Sequence, residues 1–279
     1  MMLKGLVNKI IPFSSVDGPG NRTSIFFQGC NFDCKYCHNP ETINTCKGCG
    51  TCAFVCPHNA VEFLGNSIKW HESKCKNCGL CLEKCKNHCG PRNKHMSVGE
   101  IIKEILKNKP FISGITVSGG ECTLQKDFLI DLFEKIKLLD LTIFVDTNGS
   151  LDFSKNPKLT QLMDMAMLDI KSFDNEEHKM LTKRNNHMVL KNAKYLASIN
   201  KLYEIRTVIV PDILDNEKNV FEISKLISFL NPNIRYKLIK YRPMGVRKEK
   251  IKSKTPTNEY MENLKNIALK NGCKDIIIL

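Results

Sequence analysis

The sequence reads GCNFDCKYCHNP over residues 29–40, which places Cys30, Cys34 and Cys37 in a C-x3-C-x2-C pattern. Sites that bind zinc or an iron–sulfur cluster through cysteine commonly use four thiolates. The preceding residues, 22–29, read RTSIFFQG and are rich in β-formers, so we expect a buried strand that ends where the cysteines begin. The stretch therefore predicts a three-cysteine ligand set at the end of a strand, with the fourth position open to a substrate or cofactor.

Two further cysteine runs follow in a chain that has 14 cysteines in 279 residues. CKGCGTCAFVCP begins at Cys46 and CKNCGLCLEKC begins at Cys75, and both follow C-x2-C-x2-C-x3-C, the bacterial ferredoxin spacing. In two-cluster ferredoxins the fourth cysteine of each run ligates the other cluster. The runs therefore predict two 4Fe–4S clusters, bound by Cys46, Cys49, Cys52 and Cys85 and by Cys75, Cys78, Cys81 and Cys56.

Structural zinc is the alternative for these runs, but zinc sites usually use two separated cysteine pairs rather than four cysteines in one tight run. Cys89, Cys122 and Cys273 remain unassigned. None of them is needed as a ligand, because the open position of the first site can take a substrate or cofactor.

Composition and charge narrow the class of protein. Hydrophobic residues make up 42% of the chain, enough for a sizeable core, yet no apolar run reaches the roughly 18–20 residues of a membrane span. The N-terminal residues contain no secretion signal, so we expect a cytoplasmic protein. The net charge is +13, but the lysines are scattered, which favours general lysine richness over a nucleic-acid surface.

After residue 97 the pattern alternates between strands and helices. Ser97 and Glu100 form a capping box that predicts a helix to about residue 108. Apolar strands are predicted at 114–120, 141–149, 165–173, 202–210 and 234–241, with helices at 124–139, 175–182, 186–200, 217–230 and 257–271. This alternation predicts an α/β fold with a parallel sheet, either a partial (β/α) barrel or a doubly wound sheet. Residues 38–96 are predicted to be an inserted module, with residues 1–37 and 97–279 as the core.

Chemistry in either architecture belongs at the carboxyl ends of the strands. Polar residues and glycines stand at these ends: Gly119, Gly120, Glu121, Asp146, Thr147, Asn148, Asp169, Lys171, Tyr241 and Arg242. Their coincidence at several strand ends predicts one shared site.

These motifs together resemble the radical S-adenosylmethionine (SAM) superfamily. The resemblance rests on the first cysteine motif, with Tyr36 before its third cysteine, and on SGGE at 118–121. VDGPGNRTSIFFQGC, DTNG at 146–149 and LDIK at 168–171 resemble the glycyl-radical-enzyme activating enzymes, relatives of pyruvate formate-lyase activase. GGECTLQ and YRPMGVR are most similar to YjjW-type members, which carry a two-cluster ferredoxin insert.

The resemblance implies a partial (β/α)6 radical SAM barrel with an inserted bacterial-type ferredoxin-like module. It implies three 4Fe–4S clusters, one of which has an open iron that the amino and carboxylate groups of SAM chelate. Reductive cleavage of SAM would yield a 5′-deoxyadenosyl radical, which removes a Cα hydrogen from a glycine of a partner glycyl radical enzyme. A flavodoxin- or ferredoxin-type protein would supply the electron, and no membrane or nucleic-acid partner is expected.

The resemblance also assigns roles within the SAM site. Tyr36 would pack near the adenine, and Gly119 and Gly120 would let the backbone approach the methionine portion of SAM. Glu121 would accept from the SAM amino group, and Lys171 would pair with the carboxylate.

Other roles are likewise implied by the resemblance alone. Asp146 and Asp169, with Asn148 of the same DTNG motif, would surround the methionyl and ribose groups, with a monovalent cation as a further candidate ligand. Asp17 matches the position that contacts the glycine loop of the partner. Arg242 stands where pyruvate formate-lyase activase has a histidine beside SAM. Its role is therefore left open between binding the carboxylate or ribose of SAM and facing the partner. Cys122 replaces a proline usual in the family and is interpreted as a packing variant.

Three other functions remain open from the sequence. A radical SAM enzyme could act on a small molecule, although the context of Asp17 and the lack of a long C-terminal substrate domain argue against it. A ferredoxin fused to a structural α/β domain would transfer electrons without binding SAM. A zinc-dependent nucleic-acid binder would contain no iron.

Overall fold

A computed structural model describes residues 3–279. Its strands are β1 (Lys4–Ser14), β2 (Arg22–Phe27), β3 (Val61–Phe63), β4 (Ile68–Trp70), β5 (Lys94–Ser97), β6 (Gly114–Gly119), β7 (Thr142–Thr147), β8 (Met165–Asp169), β9 (Leu202–Ile209), β10 (Arg235–Lys240) and β11 (Ile276–Ile278). Its α-helices are α1 (Thr51–Phe54), α2 (Leu80–Glu83), α3 (Val98–Asn108), α4 (Lys126–Lys137), α5 (Pro157–Leu162), α6 (Asn175–Thr182), α7 (His187–Ser198), α8 (Asn216–Leu230) and α9 (Asn258–Lys270).

The main sheet has nine strands in the order β11-β10-β9-β8-β7-β6-β2-β1-β5. In this sheet β2 and the strands β6 to β11 pair in parallel, as the alternation of strands and helices predicts. From β6 to β11 the spatial order follows the chain order without reversal. A doubly wound sheet would reverse its order, so the topology is that of an open, singly wound α/β sheet, the winding expected of a partial barrel.

The parallel strands are apolar because both of their faces are covered. Every residue of β2 is buried, as are the first five residues of β6. Helix α4 packs Phe128, Leu132 and Phe133 into the core. The predicted capping box at the start of α3 is confirmed, since Ser97 Oγ accepts from the Glu100 backbone and the Glu100 carboxylate accepts from the Ser97 N–H.

The first and fifth strands were not expected from the sequence. Strand β1 lies antiparallel between β2 and β5. Because β5 belongs to this sheet, the sheet takes in the last residues of the predicted 38–96 module. Short β5 has the sequence KHMS, which carries little β signal and becomes a strand by pairing with β1.

The segment predicted to be an inserted module, residues 38–96, is called here the cysteine module, and both of its ends are attached to the core. Buried Gln28, directly after β2, donates from Nε2 to the carbonyls of Glu41 and Asn44 at 2.7 and 2.5 Å. Its Oε1 accepts from Asn8 Nδ2 on β1 at 2.8 Å. The chain therefore enters the module beside β2 and leaves it through β5, which pairs with β1.

No helix within residues 3–279 has both the length and the apolar character needed to cross a membrane.

Candidate functional site

A cavity of about 240 Å³ lies at the carboxyl ends of the parallel strands, next to the loop that follows β2. Cys30, Cys34 and Cys37 all line it. The predicted residues of the strand ends that share this cavity are Gly119, Gly120, Asp146, Thr147, Asn148, Asp169 and Lys171. Residues that are far apart in the sequence therefore meet in one place, because parallel strands end at the same edge of the sheet.

Backbone hydrogen bonds hold the three-cysteine loop against its surroundings. The N–H of Cys30 donates to the Ile43 carbonyl at 2.9 Å, and the N–H of Lys35 donates to the Leu181 carbonyl at 2.9 Å. Buried Arg247 donates from Nη2 to the Cys34 carbonyl at 2.8 Å and pairs with Asp33. The loop is thus held from both sides, although it has no regular secondary structure of its own.

Burial raises the pKa of the Cys30 and Cys34 thiols to about 12. A coordinated metal reverses this, because a thiol bound to a metal is deprotonated outright. Three thiols on one wall of the cavity fit a cluster that leaves one iron to another ligand.

Tyr36 provides an independent sign that a polar ligand belongs in this cavity. The residue is 2% exposed and lines the cavity, yet its hydroxyl has no hydrogen-bond partner. Buried polar groups in proteins are normally paired, so this hydroxyl fits a partner supplied by a bound molecule. Lys171 Nζ lies 5.9 Å from the centre of the same ring.

Two ion pairs give the cavity both signs of charge. Asp146 accepts from Arg206 Nη1 at 3.0 Å and from Ser118 Oγ at 2.8 Å. Lys171 Nζ donates to Asp169 at 2.7 Å. Burial is the strongest single influence on the pKa of Lys171 and acts to lower it, but Asp169, Tyr36 and Cys34 together outweigh burial and raise that pKa well above the ordinary value, so the lysine stays charged. Burial, followed by the Asp169 charge, raises the pKa of Asp146.

Arg206 was not predicted from the sequence to belong to this site. It stands in the interior of β9, where it pairs with Glu204 as well as with Asp146, and Lys237 on β10 also pairs with Glu204 at 2.9 Å. The signal that could have identified it is a charged residue inside the apolar strand LYEIRTVIV. Charges in such a position are costly unless they are paired.

The carboxylate of Glu121 lies behind the cavity wall and does not line the cavity. It accepts hydrogen bonds from the backbone N–H and hydroxyl of Thr123, the hydroxyl of Thr147 and the backbone N–H of Asn148. These bonds join the ends of β6 and β7 through the Glu121 side chain. Its contact with the SAM amino group, which the resemblance implies, stays a prediction.

The packing of the protein itself also requires glycine at residues 119 and 120, apart from any approach to SAM. A Cβ on Gly119, whose φ is +123°, would lie 2.2 Å from the carbonyl oxygen of Phe27 on β2. A Cβ on Gly120 would lie 2.3 Å from the carbonyl oxygen of Gly29. Their side-chain directions are filled by the protein's own backbone, so they allow the three-cysteine loop to sit close to β6.

Three further predicted residues occupy different positions. Asn148 Nδ2 contacts Cys30 Sγ at 3.8 Å and Asn31 Oδ1 at 3.1 Å, so it faces the cysteine loop. Asp17 does not line the cavity, and its carboxylate accepts from two serine hydroxyls at 2.6 and 2.8 Å. Arg242 is exposed and lies outside the cavity, although its carbonyl is 3.1 Å from His38 Nε2.

The cysteine module contains two similar halves. Helices α1 and α2 each follow a glycine in the left-handed conformation, Gly50 with φ 76° and Gly79 with φ 83°. We call the first predicted ligand set site 1 and the second site 2. The four cysteines of site 2 line one small cavity: Cys56, Cys75, Cys78 and Cys81.

Site 1 is less regular. Cys52 and Cys85 are buried, and both Cys46 and Cys85 lie close enough to contribute to raising the pKa of Cys52, after the larger effect of burial. Cys49 is exposed.

No three His, Cys, Asp or Glu side chains among residues 3–279 converge closely enough to hold a single metal ion. A 4Fe–4S cluster holds its thiolates farther apart than a single ion does, because each thiolate binds a different iron.

Cys122 is buried, with its sulfur 3.7 Å from the Val117 carbonyl, which agrees with its interpretation as a packing residue.

Comparison with known proteins identifies the relatives of this chain. The family described as the Radical SAM superfamily matches residues 24–223. The pyruvate formate-lyase-activating enzyme of Streptococcus mutans is 34% identical, with 86% of this chain and 79% of that protein covered. The 4-hydroxyphenylacetate decarboxylase activating enzyme of Clostridium scatologenes is 30% identical, with 98% and 96% covered.

The fold is shared with solved structures as well. The structure of Streptococcus suis SuiB bound to S-adenosylmethionine matches with a TM-score of 0.60 at 13% identity, covering 90% of this chain and 48% of that one.

Proposed function

Because the chain belongs to the radical SAM superfamily and, within it, to the glycyl-radical-enzyme activating enzymes, we propose that it removes a Cα hydrogen from one glycine of a partner enzyme. A 4Fe–4S cluster and SAM supply the reductive cleavage that generates the 5′-deoxyadenosyl radical when both are bound. The observation that carries this proposal is the single cavity shared by Cys30, Cys34, Cys37 and the paired charges of the strand ends.

The cavity's charges suit the methionyl group of SAM, which has an ammonium and a carboxylate. Lys171 is the cation for the carboxylate, and Asp146 and Asp169 are the anions for the ammonium and the ribose hydroxyls. Arg206 acts as a positioning residue, because it holds Asp146 in place through its own bonds to Asp146 and Glu204. A monovalent cation beside Asp146 and Asp169 remains part of the proposal.

Tyr36 and Asn148 complete the site. The unpartnered Tyr36 hydroxyl and the face of its ring suit the adenine portion of SAM. Asn148 donates toward Cys30, and hydrogen bonds to cluster sulfurs adjust reduction potential. Asp17 and the exposed Arg242 lie outside the cavity, and we assign both to contact with the partner's glycine loop.

The cysteine module is proposed to hold two further 4Fe–4S clusters. The convergence of the four site 2 cysteines on one cavity supports this, as does the match to the C. scatologenes relative, which covers 98% of the chain and therefore includes the module. Each cluster would pass an electron from a flavodoxin- or ferredoxin-type donor toward the SAM site. The module would extend from residue 38 to the start of β5.

Anaerobic reconstitution followed by dithionite and SAM tests the enzyme. We expect 5′-deoxyadenosine, detected by chromatography. Addition of pyruvate formate-lyase or 4-hydroxyphenylacetate decarboxylase, the enzymes named for the two relatives, should give the electron paramagnetic resonance (EPR) signal of a glycyl radical with a cognate partner.

Cys34→Ala is the matched variant, because it removes one ligand of the SAM cluster and leaves the module's cysteines intact. We expect it to abolish SAM cleavage while the iron of the module stays bound. A fully loaded wild-type protein that forms no 5′-deoxyadenosine would refute the enzyme and favour an electron-transfer role. Cleavage without a glycyl radical on any glycyl radical enzyme would favour a small-molecule substrate.

A further inference from the structure

Site 1 contains a fifth cysteine that the ferredoxin spacing does not use. Cys89 is 3% exposed, and its sulfur lies 3.7 Å from the sulfur of Cys85. The thiol of Cys46 is another near neighbour of Cys89. By contrast, Cys49, which the spacing assigns to this site, is exposed. The thiols buried at site 1 therefore include a candidate ligand that the motif does not predict, Cys89.

The short separation of Cys85 and Cys89 indicates what the extra thiol can do. Two thiolates on one tetrahedral metal lie about 3.8 Å apart when each metal–sulfur bond is about 2.3 Å, the length known for zinc. Two thiolates of one 4Fe–4S cluster bind different irons and lie farther apart. Each iron of such a cluster has one position for a protein ligand, so Cys85 and Cys89 point to the same position and only one can occupy it.

The backbone keeps these two thiols together. The N–H of His88 donates to the Cys85 carbonyl at 2.9 Å, and His88 and Gly90 on either side of Cys89 have φ values of 47° and 58°. Asn44 Nδ2 donates to the Asn87 carbonyl at 2.8 Å, which ties this turn to the chain beside the three-cysteine loop. The turn therefore holds Cys85 and Cys89 beside each other.

Cys85 is the better placed of the two as the usual ligand. It stands at the fourth position of its C-x2-C-x2-C-x3-C run, whereas Cys89 lies outside that run.

We propose that Cys89 is a reserve ligand of site 1, which takes the place of Cys85 on the same iron. In the exchange the Cys89 thiol loses its proton as its sulfur binds iron, the iron–sulfur bond to Cys85 breaks, and the Cys85 sulfur takes up a proton. No electron is gained or lost. This inference rests on the proposed two-cluster module. Among the residues that line the cavity of site 2, the cysteines are its four predicted ligands and no other, so Cys56 has no such substitute among the described residues.

The two halves of the module provide a matched test, since Cys56 and Cys85 hold equivalent positions in the two runs. Iron and acid-labile sulfide are measured on reconstituted full-length protein, with EPR used to detect 3Fe–4S clusters. The wild-type chain should contain about 12 irons, from three clusters of four. We expect Cys56→Ala to lose one to four irons and Cys85→Ala to keep the wild-type content. The double variant Cys85→Ala, Cys89→Ala should lose as much as Cys56→Ala.

The outcomes separate this inference from the proposed function. A wild-type protein with about four irons would overturn the two-cluster module and the reserve ligand together. Full wild-type content with equal iron losses in Cys85→Ala and Cys56→Ala would overturn the reserve ligand alone. Circular dichroism reports folding of each variant, and Cys85→Val, which fills the space of the thiol, replaces Cys85→Ala if the alanine variant does not fold.

Discussion

Replacing Glu121 with glutamine changes one atom and separates two roles for this side chain. If Glu121 contacts SAM, the substitution should weaken SAM binding. If Glu121 joins the strand ends, the substitution should lower the free energy of unfolding even without SAM. The structure favours the second role, since Glu121 is 1% exposed and its hydrogen bonds all go to the protein.

The expected cost follows from the two carboxylate oxygens. Oε1 accepts from Thr123 and Thr147, and a glutamine oxygen can keep these bonds. Oε2 accepts from the N–H of Asn148 at 2.7 Å, where a glutamine places its own N–H groups. A hydrogen bond to a charged group contributes about 1.5–3 kcal/mol, and a buried donor left unpaired costs about 1–3 kcal/mol. Both effects concern the same N–H of Asn148, so their energies overlap and do not add in full. We therefore expect Glu121→Gln to lower the free energy of unfolding by about 2–4 kcal/mol.

The assay is thermal unfolding of the anaerobically reconstituted protein in the absence of SAM. For a chain of 279 residues the expected cost corresponds to a fall in Tm of roughly 3–7 °C. Glu104→Gln is the control, because Glu104 forms an exposed ion pair with Lys107 that contributes at most about 1 kcal/mol. A Tm equal to that of the control, together with at least tenfold weaker SAM binding, would refute the structural role and assign Glu121 to the ligand.

Three further predictions concern the same region. Gly119→Ala should lower the free energy of unfolding by about 2–5 kcal/mol, because the added Cβ would meet the β2 backbone and the φ of Gly119 is +123°. The iron content of the reconstituted variant should fall as well. Gly99→Ala is the control and should change neither quantity, because a Cβ at Gly99 would meet no other atom. Burial lowers the pKa of His178 to about 4, below the 6.5 of the unfolded chain, so the unfolded chain binds a proton first as the pH falls. Between pH 7 and pH 5 the free energy of unfolding should therefore fall by about 2 kcal/mol more in the wild type than in His178→Phe. Chemical denaturation at both pH values measures this difference, and equal losses in the two proteins would contradict the prediction. Arg206→Lys keeps the charge but cannot hold two carboxylates through separate nitrogens, so SAM binding measured by equilibrium dialysis should weaken about tenfold, and a Kd within twofold of the wild type would argue against it.

The sequence was sufficient to predict the repeating part of the fold. Strands β6 to β10 are apolar runs bounded by helices with amphipathic patterns, and such signals are local. Strand β1 was missed because its burial alternates irregularly, and β5 was missed because only pairing with β1 makes it a strand. The choice between a barrel-like winding and a doubly wound sheet required the spatial order of the strands, which no local pattern contains.

The candidate site shows a similar division. Cysteine spacing and the strand-end motifs led to the residues that share the cavity. Glu121 shows what spacing leaves out, since a motif does not reveal whether a carboxylate faces the cavity or the wall behind it. Arg206 and Cys89 were missed for a different reason, because the significance of each depends on neighbours that are distant in the sequence or outside the motif.

The attachment of the cysteine module at both ends has a consequence for its mechanics. Gln28 joins the first residues of the module to β1. The last residues of the module continue into β5, which pairs with the same strand, β1. A segment anchored at two points on one sheet cannot swing between a distant donor and the cavity in the way that a carrier domain on a single linker does. Electrons passing through it would cross gaps of constant width. The rate of that transfer should then be independent of solvent viscosity, and the slow, diffusive step would be the arrival of the reductant at the module's outer surface.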